Sequence, residues 1–154
     1  MAALSLTAAA CSSGPSVPSA SESQAQITTA YKTLFNFADR SSESAKVALI
    51  QDGTALKSSL DQALASPLAS AAQGASVSSV PILGDSDCTG KKVPSPCAHV
   101  KYSILGSGGT ALLSNQDGYA SYASGKWLVA KVTICQLLQE FYAASGNSGS
   151  PPGC

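Results

Sequence analysis

The residue of this 154-residue chain that points most directly to chemistry is Cys11, because a short apolar stretch leads straight into it. Residues 1–10 are small or apolar, and residues 12–20 are rich in Ser, Gly and Pro without any periodicity. A short apolar stretch that ends in small residues is typical of a secretory leader, since a membrane-spanning helix needs about 20 apolar residues. We therefore expect residues 1–10 to be a signal peptide.

The thiol of Cys11 is a candidate for acylation. Small residues directly before a cysteine, with a Ser/Gly/Pro tether after it, resemble the lipobox of bacterial lipoproteins, although Ala8 stands where that family prefers Leu. The resemblance implies that Cys11 carries a diacylglyceryl group and a further acyl chain such as palmitate. It also implies a membrane partner at the outer face of the cytoplasmic membrane. Plain secretion and an incidental cysteine are the alternatives.

The other four cysteines are candidates for disulfide bonds. Export places them in an oxidising compartment, and four cysteines allow three pairings. Cys88 and Cys97 bracket a loop, TGKKVPSP, that resembles a hairpin tip, and Cys154 closes a tail that needs an attachment. We expect the nearest-neighbour pairing, Cys88–Cys97 and Cys135–Cys154. Zinc is the rival interpretation, but the chain has no Cys-x-x-Cys spacing, so we expect no metal.

The single histidine, His99, is a candidate general base, and Asp117 is the alternative candidate for a catalytic residue. One histidine among many serines is weak evidence for catalysis. Strand alternation also places His99 opposite Val100 and Tyr102, which we expect to be buried. We therefore expect a non-catalytic protein.

Two glycine-containing motifs resemble a dinucleotide-binding loop and a calcium-binding loop, but each motif lacks a part that its function requires. Residues 106–111, GSGGTA, match a dinucleotide-binding loop, but the segment that follows is too short and strand-like for the helix that binds a pyrophosphate. Residues 85–90, DSDCTG, match the first half of a calcium loop, but Pro96 stands where a bidentate Glu is required. Nine basic residues balance nine acidic ones, which disfavours nucleic-acid binding. We expect no cofactor and no nucleic-acid partner.

Hydrophobic periodicity predicts helices first and strands afterwards. Ser23 and Gln26 have capping-box spacing and precede an apolar helical face that starts at Ile27. Further helices are expected from Glu43 to Gly53 and from Thr54 onwards, with a restart at 66–67. Alternation then predicts strands around 77–82, 100–104, 110–114, 118–123 and 127–134, and a helix over 135–144.

A family resemblance emerges in the second half of the chain. Residues 100–138 contain, in order, VKYSILG, LL, GYA, GKWLVA and CQLL. Together with the helical first half, this order resembles the mycobacterial low-molecular-weight secreted antigen family of exported proteins and lipoproteins, over residues 24–145. The resemblance implies an α+β cone fold similar to nuclear transport factor. In it, N-terminal helices pack on a curved four-stranded antiparallel sheet.

The resemblance also implies where a ligand would lie. Cones of this kind can hold an apolar molecule between sheet and helices, and Tyr102, Ile104 and Trp127 are the candidate lining residues. The expected organisation is a signal peptide (1–10), a lipidated cysteine with its tether (11–23), a globular domain (24–145) and a tail tied back by Cys154 (146–154). We expect a binding or surface-antigen domain with an unidentified protein partner, and the alternative is a carrier or sensor of an apolar small molecule.

Overall fold

The helices precede an antiparallel sheet in the computed structural model, which describes residues 16–39 and 43–154. The helices are α1 (Ala20–Leu34), α2 (Glu43–Val47), α3 (Gly53–Leu64), α4 (Pro67–Ala71), α5 (Asp85–Gly90) and α6 (Lys131–Ala144). The strands are β1 (Gly74–Ser79), β2 (Ile82–Leu83), β3 (Cys97–Leu105), β4 (Ala111–Ala123) and β5 (Lys126–Val129). This order confirms the predicted α+β class with a curled antiparallel sheet.

Strand β3 lies at the centre of the sheet. The strand order is β1-β3-β4-β5, and the two-residue β2 pairs with β3 beside β1. Alternate β3 residues, among them Val100, Tyr102 and Ile104, are buried under the helices, as the alternation predicts. His99 and Lys101 lie on the opposite face, which we call the outer face of the sheet.

Helix α1 begins earlier than predicted. Its capping box is formed by Ser19 and Glu22: the Ser19 side chain accepts a hydrogen bond from the Glu22 N–H, and the Glu22 carboxylate accepts one from the Ser19 N–H at 3.0 Å. The predicted box at Ser23 and Gln26 is therefore wrong. Ser23 is buried instead, and its hydroxyl donates to the Pro18 carbonyl at 3.2 Å.

The loop between the first cysteine pair is not a hairpin tip. Residues Asp85–Gly90 form α5, and the chain then enters β3 at Cys97. A disulfide joins Cys88 to Cys97, whose Cα atoms are 5.8 Å apart. With Val93 and Ala130, the two cysteines form a small second core on the side of the sheet where Tyr119 lies.

The predicted strand over residues 127–134 is wrong in its second half. Strand β5 ends at Val129, and α6 begins at Lys131. Trp127 and Val129 provide the buried face of β5. The chain turns into α6 because the Ala130 N–H bonds the Tyr119 carbonyl at 2.8 Å and the helix then packs against β4.

The C-terminal tail is held against two helices. A disulfide joins Cys135 in α6 to Cys154, and the Ser59 hydroxyl of α3 donates to the Pro152 carbonyl at 2.7 Å. Gly153 has a φ of +87°, and a Cβ there would collide with the Ala55 carbonyl, so only glycine fits this approach. Both disulfides match the predicted pairing.

The main core lies between α1 and the inner face of the sheet. Its largest fully buried side chains include Tyr31, Phe35 and Leu56. Within the described ranges, none of the helices has the length and apolar character needed to cross a membrane.

Candidate functional site

The main candidate site is a cavity of about 630 Å³ among the first three helices, which we call the helical cavity. Its apolar lining comes from the end of α1, from α2 with the segment after it, and from α3: Leu34, Phe37, Val47, Ile50, Leu60 and Leu64. Small-molecule sites commonly measure about 300–1,000 Å³ and are mostly apolar. The helical cavity fits both criteria.

The wall of the cavity depends on a tight corner between α2 and α3. Asp52 adopts a left-handed conformation with φ +54°, and its side chain makes no capping hydrogen bond to α3. A Cβ on Gly53 would collide with the Val47 carbonyl. Glycine therefore lets the two helices approach closely enough to enclose the cavity.

A nearly buried ammonium group belongs to this wall. Lys46 is 7% exposed, and its Nζ donates to the carbonyl oxygens of Asn36, at 2.6 Å, and of Asp39. Burying a charge is costly unless hydrogen bonds satisfy it. The two carbonyls compensate part of that cost, and they join α2 to the chain that leaves α1.

Exposed charges surround the cavity mouth. The Nζ of Lys57 lies 2.7 Å from a carboxylate oxygen of Asp61, one helical turn along α3. This hydrogen bond, together with the negative charges of Asp61 and Glu43, raises the pKa of Lys57. Asp52 lies at the same mouth. A ligand with an apolar body and a polar end would match this arrangement.

The three residues predicted to line a pocket lie in the core. Tyr102, Ile104 and Trp127 are each at most 4% exposed. The ring of Tyr102 stacks on Phe35 at 5.3 Å between centroids and meets Tyr31 edge-on at 4.9 Å. Ile104 borders a void of only about 30 Å³, which is far smaller than an ordinary ligand site. None of the three lines the helical cavity.

Tyr102 also borders an open groove between β4 and α6. The groove measures about 700 Å³, and its walls include polar side chains such as Gln116, Gln136 and Glu140. The Gln116 amide is already bonded to the Ser114 carbonyl at 2.9 Å. The groove is less enclosed than the helical cavity and offers less apolar surface to a ligand.

A buried hydrogen-bond cluster fastens α1 and α6 to β4. The Tyr31 hydroxyl donates to the Tyr119 carbonyl at 3.0 Å, and the Tyr119 N–H donates to Thr133 Oγ1 at 2.7 Å. Burial raises the pKa of Tyr31 well above its usual range, and Tyr102 adds to the shift. Burial also raises the pKa of Tyr102, with smaller contributions from the Glu140 and Asp117 charges. Both phenols therefore stay neutral and act as packing and hydrogen-bonding groups.

The candidate acid–base residues meet on the outer face of the sheet. His99 Nε2 lies 2.6 Å from Asp117 Oδ1, and Lys101 Nζ lies 2.8 Å from the same oxygen. The hydrogen bonds from Lys101 and then His99 lower the pKa of Asp117. The Asp117 side chain is 54% exposed, and Tyr119 lies beside the His99 ring. This cluster is open to solvent and is separate from the helical cavity.

Three other predictions concern the acylation of Cys11, the calcium-loop motif and a metal site. Cys11 lies outside the described residues, so its acylation stays a prediction. Asp85 and Asp87 belong to the first turn of α5 rather than to a calcium loop. Among residues 16–39 and 43–154, no cluster of three or more His, Cys, Asp or Glu side chains could hold a metal ion.

The helical cavity itself is absent from the sequence-based predictions. Val47, Ile50, Leu60 and Leu64 are recognisable as apolar helix faces, but spacing along a helix does not tell a filled contact from an open one. The only sequence signal was Asp52-Gly53 between two short helices, which marks a sharp corner.

The comparisons with known proteins give one match. The family model described as "Low molecular weight antigen MTB12, C-terminal domain" matches residues 20–145, which run from α1 through α6. A search of curated proteins and a search of solved structures each found no match. The family match confirms the resemblance drawn from residues 100–138.

Proposed function

The chain belongs to the low molecular weight antigen MTB12 family, and from that premise we propose a lipid-anchored envelope protein whose domain binds an apolar or amphipathic small molecule. Membership of an antigen family indicates a surface or secreted protein. The lipid anchor and the ligand are the parts that we add.

The helical cavity carries the binding proposal. It combines an apolar interior of ligand size with charged groups at its mouth, so one molecule could bury a chain or ring and keep a polar end in water. Apolar burial contributes roughly 25 cal/mol per Å². The apolar interior of the cavity can therefore contribute to the binding free energy.

The proposed role is non-catalytic. The only histidine of the chain lies on the outer face of the sheet, bonded to Asp117, and does not line the cavity. Lys46 at the cavity wall is already engaged by two backbone carbonyls. General acid–base chemistry needs a group within hydrogen-bonding reach of the substrate, so these positions favour binding over catalysis.

Titration with Nile red, a neutral dye that brightens in apolar surroundings, tests the cavity. Leu64 is half-buried in the lining, and Leu64→Trp should fill the space; Gln62→Trp on the exposed side of α3 is the matched control. We expect saturable one-site binding that Leu64→Trp weakens by about tenfold or more, equivalent to about 1.4 kcal/mol, while the control leaves it unchanged. Absence of saturable binding, or equal affinity in both variants, would overturn the proposal.

The anchor proposal rests on the apolar residues 1–10, the small residues before Cys11 and the Ser/Gly/Pro tether after it. Mass analysis of the protein purified from membranes should show a chain that begins at Cys11 and carries the mass of acyl groups. A Cys11→Ser variant should appear in the soluble fraction. An unmodified Cys11 in the membrane fraction would contradict the anchor.

A further inference from the structure

The contact that carries this inference joins the start of the described chain to the end of β4. The Tyr122 hydroxyl donates to the Ser16 carbonyl at 3.2 Å. From Ser16 the chain passes Pro18, whose carbonyl accepts from Ser23, to the capping box at Ser19. Residues 16–19 are therefore held against the domain and do not act as free tether.

The length of tether that remains is short. Five peptide units separate Cys11 from Ser16. A fully extended chain spans at most about 3.6 Å per residue, so Ser16 can lie no more than roughly 18 Å from Cys11. Resting on the acylation of Cys11 proposed above, we infer that the end of the domain formed by Ser16, Val17, Tyr122 and the β4–β5 turn faces the lipid surface. We call it the anchor end.

The residues at the anchor end suit a lipid surface. Val17 is 41% exposed and is one of two large apolar side chains among the described residues with such exposure. Tyr122 combines a ring packed on Trp127 with a hydroxyl, and tyrosines of this kind are common at membrane interfaces. Lys126 follows the turn directly, and its positive charge at this end would favour anionic headgroups. The exposed carboxylate nearby, Glu22, is engaged by Ser19 at 2.7 Å.

The helical cavity and the β3–β4 turn (residues 106–110) take up different positions in this orientation. Lys126 Nζ donates at 3.1 Å to the carbonyl of Ala48, and Ala48 lines the cavity, so the cavity borders the anchor end. The β3–β4 turn lies at the far end of β4, which has 13 residues. At about 3.3 Å per residue the two ends are on the order of 30–40 Å apart, since bulges shorten the strand. The β3–β4 turn therefore points away from the bilayer.

Energy transfer from the protein to labelled lipids tests this orientation. The acylated protein is reconstituted in vesicles of phosphatidylethanolamine and phosphatidylglycerol that contain a trace of acceptor-labelled headgroups. A donor dye is placed, through an azide-bearing amino acid, at exposed Gln24 in α1 or at exposed Ser107 in the β3–β4 turn. We expect transfer from position 24 to exceed that from position 107 by about twofold or more, given their separation along the fold. Equal transfer from both positions would overturn the inference.

A lengthened tether is the matched control. Inserting about 15 Gly/Ser residues between Ser13 and Gly14 gives a flexible linker with a mean end-to-end distance of roughly 25 Å. The ratio of energy transfer from position 24 to that from position 107 should then fall toward one. An unchanged ratio would refute the short tether as the cause of the orientation. Mass analysis of the same sample separates the two proposals: a missing acyl group refutes the anchor, whereas equal transfer from an acylated protein refutes only the orientation.

Discussion

Gly118 in β4 occupies a position where even a methyl group should be costly. A Cβ there would lie 2.6 Å from the Tyr31 hydroxyl oxygen and 2.9 Å from both Thr133 Cγ2 and Tyr102 Cε1. These three atoms come from α1, α6 and β3, and Tyr31 is further fixed by its hydrogen bond to the Tyr119 carbonyl. No neighbour can move aside without breaking another contact.

We expect Gly118→Ala to lower the free energy of unfolding by roughly 2–5 kcal/mol. Overpacking a core costs about 1–3 kcal/mol, and loss of the buried Tyr31 hydrogen bond adds about 1–3 kcal/mol. Domains of this size are stable by about 5–15 kcal/mol, so the effect is easily measured. Urea unfolding without reductant, followed by the fluorescence of Trp127, reports it, because this single tryptophan is 2% exposed. Gly90→Ala is the control, since a Cβ there meets nothing within 4 Å.

A double-mutant cycle with Tyr31→Phe tests the cause. Tyr31→Phe alone should cost about 1 kcal/mol, because the Tyr119 carbonyl still accepts from the Ala130 N–H at 2.8 Å and from the Thr133 hydroxyl at 3.3 Å. In that background Gly118→Ala no longer meets the hydroxyl and should cost roughly 1–2 kcal/mol less than in the parent protein. Additive costs, within about 0.5 kcal/mol, would refute this account of the glycine.

Three further changes have expected outcomes. Lys46→Met removes two part-buried hydrogen bonds to backbone carbonyls and should lower the free energy of unfolding in urea by roughly 1–2 kcal/mol, and unchanged stability would contradict the bonding described for this ammonium. Replacing both Cys135 and Cys154 by Ser removes a loop closure and should lower the free energy of unfolding by roughly 3 kcal/mol. The comparison is with the parent protein, and the Cys88–Cys97 disulfide stays oxidised in both. The folded-state pKa of Asp117 is lowered, so its contribution is present above the unfolded pKa of about 3.9 and is lost as pH falls through the folded value. The stability difference between the parent and Asp117→Asn, below about 1 kcal/mol for this exposed group, should therefore shrink as the pH falls from about 5 to about 3, and a flat difference over that range would refute the ion pairing.

The sequence was most informative where a local pattern alone decides the structure. The alternation around Val100 and Tyr102 placed β3 and its buried face correctly, because a strand has a fixed period of two. Ser66 and Pro67 likewise predicted the start of α4, and Ser66 Oγ does accept from the Ala69 N–H at 3.2 Å.

The sequence-based predictions were wrong where one segment could form two local structures and contacts distant in the sequence decide between them. Ser19 and Ser23 both begin a Ser-x-x-Glu/Gln pattern, and the earlier one prevails because Ser23 bonds Pro18 and is buried. Val132 and Ile134 favour a strand by type, yet α6 forms there because the Thr133 hydroxyl completes the buried cluster at Tyr119. The helical cavity depends on the close approach of Gly53 to the Val47 carbonyl, and hydrophobic periodicity cannot predict this contact.

The two disulfides give the chain a stability that depends on the compartment. One ties α5 to β3 and the other ties the tail to α6, and each closure is worth roughly 3 kcal/mol. Thiols stay reduced in the cytosol, so the reduced chain lacks both closures, which together amount to about 6 kcal/mol against the usual 5–15 kcal/mol. The reduced chain is therefore easier to unfold than the oxidised one. Oxidation restores both closures, so the fold is most stable in an oxidising compartment.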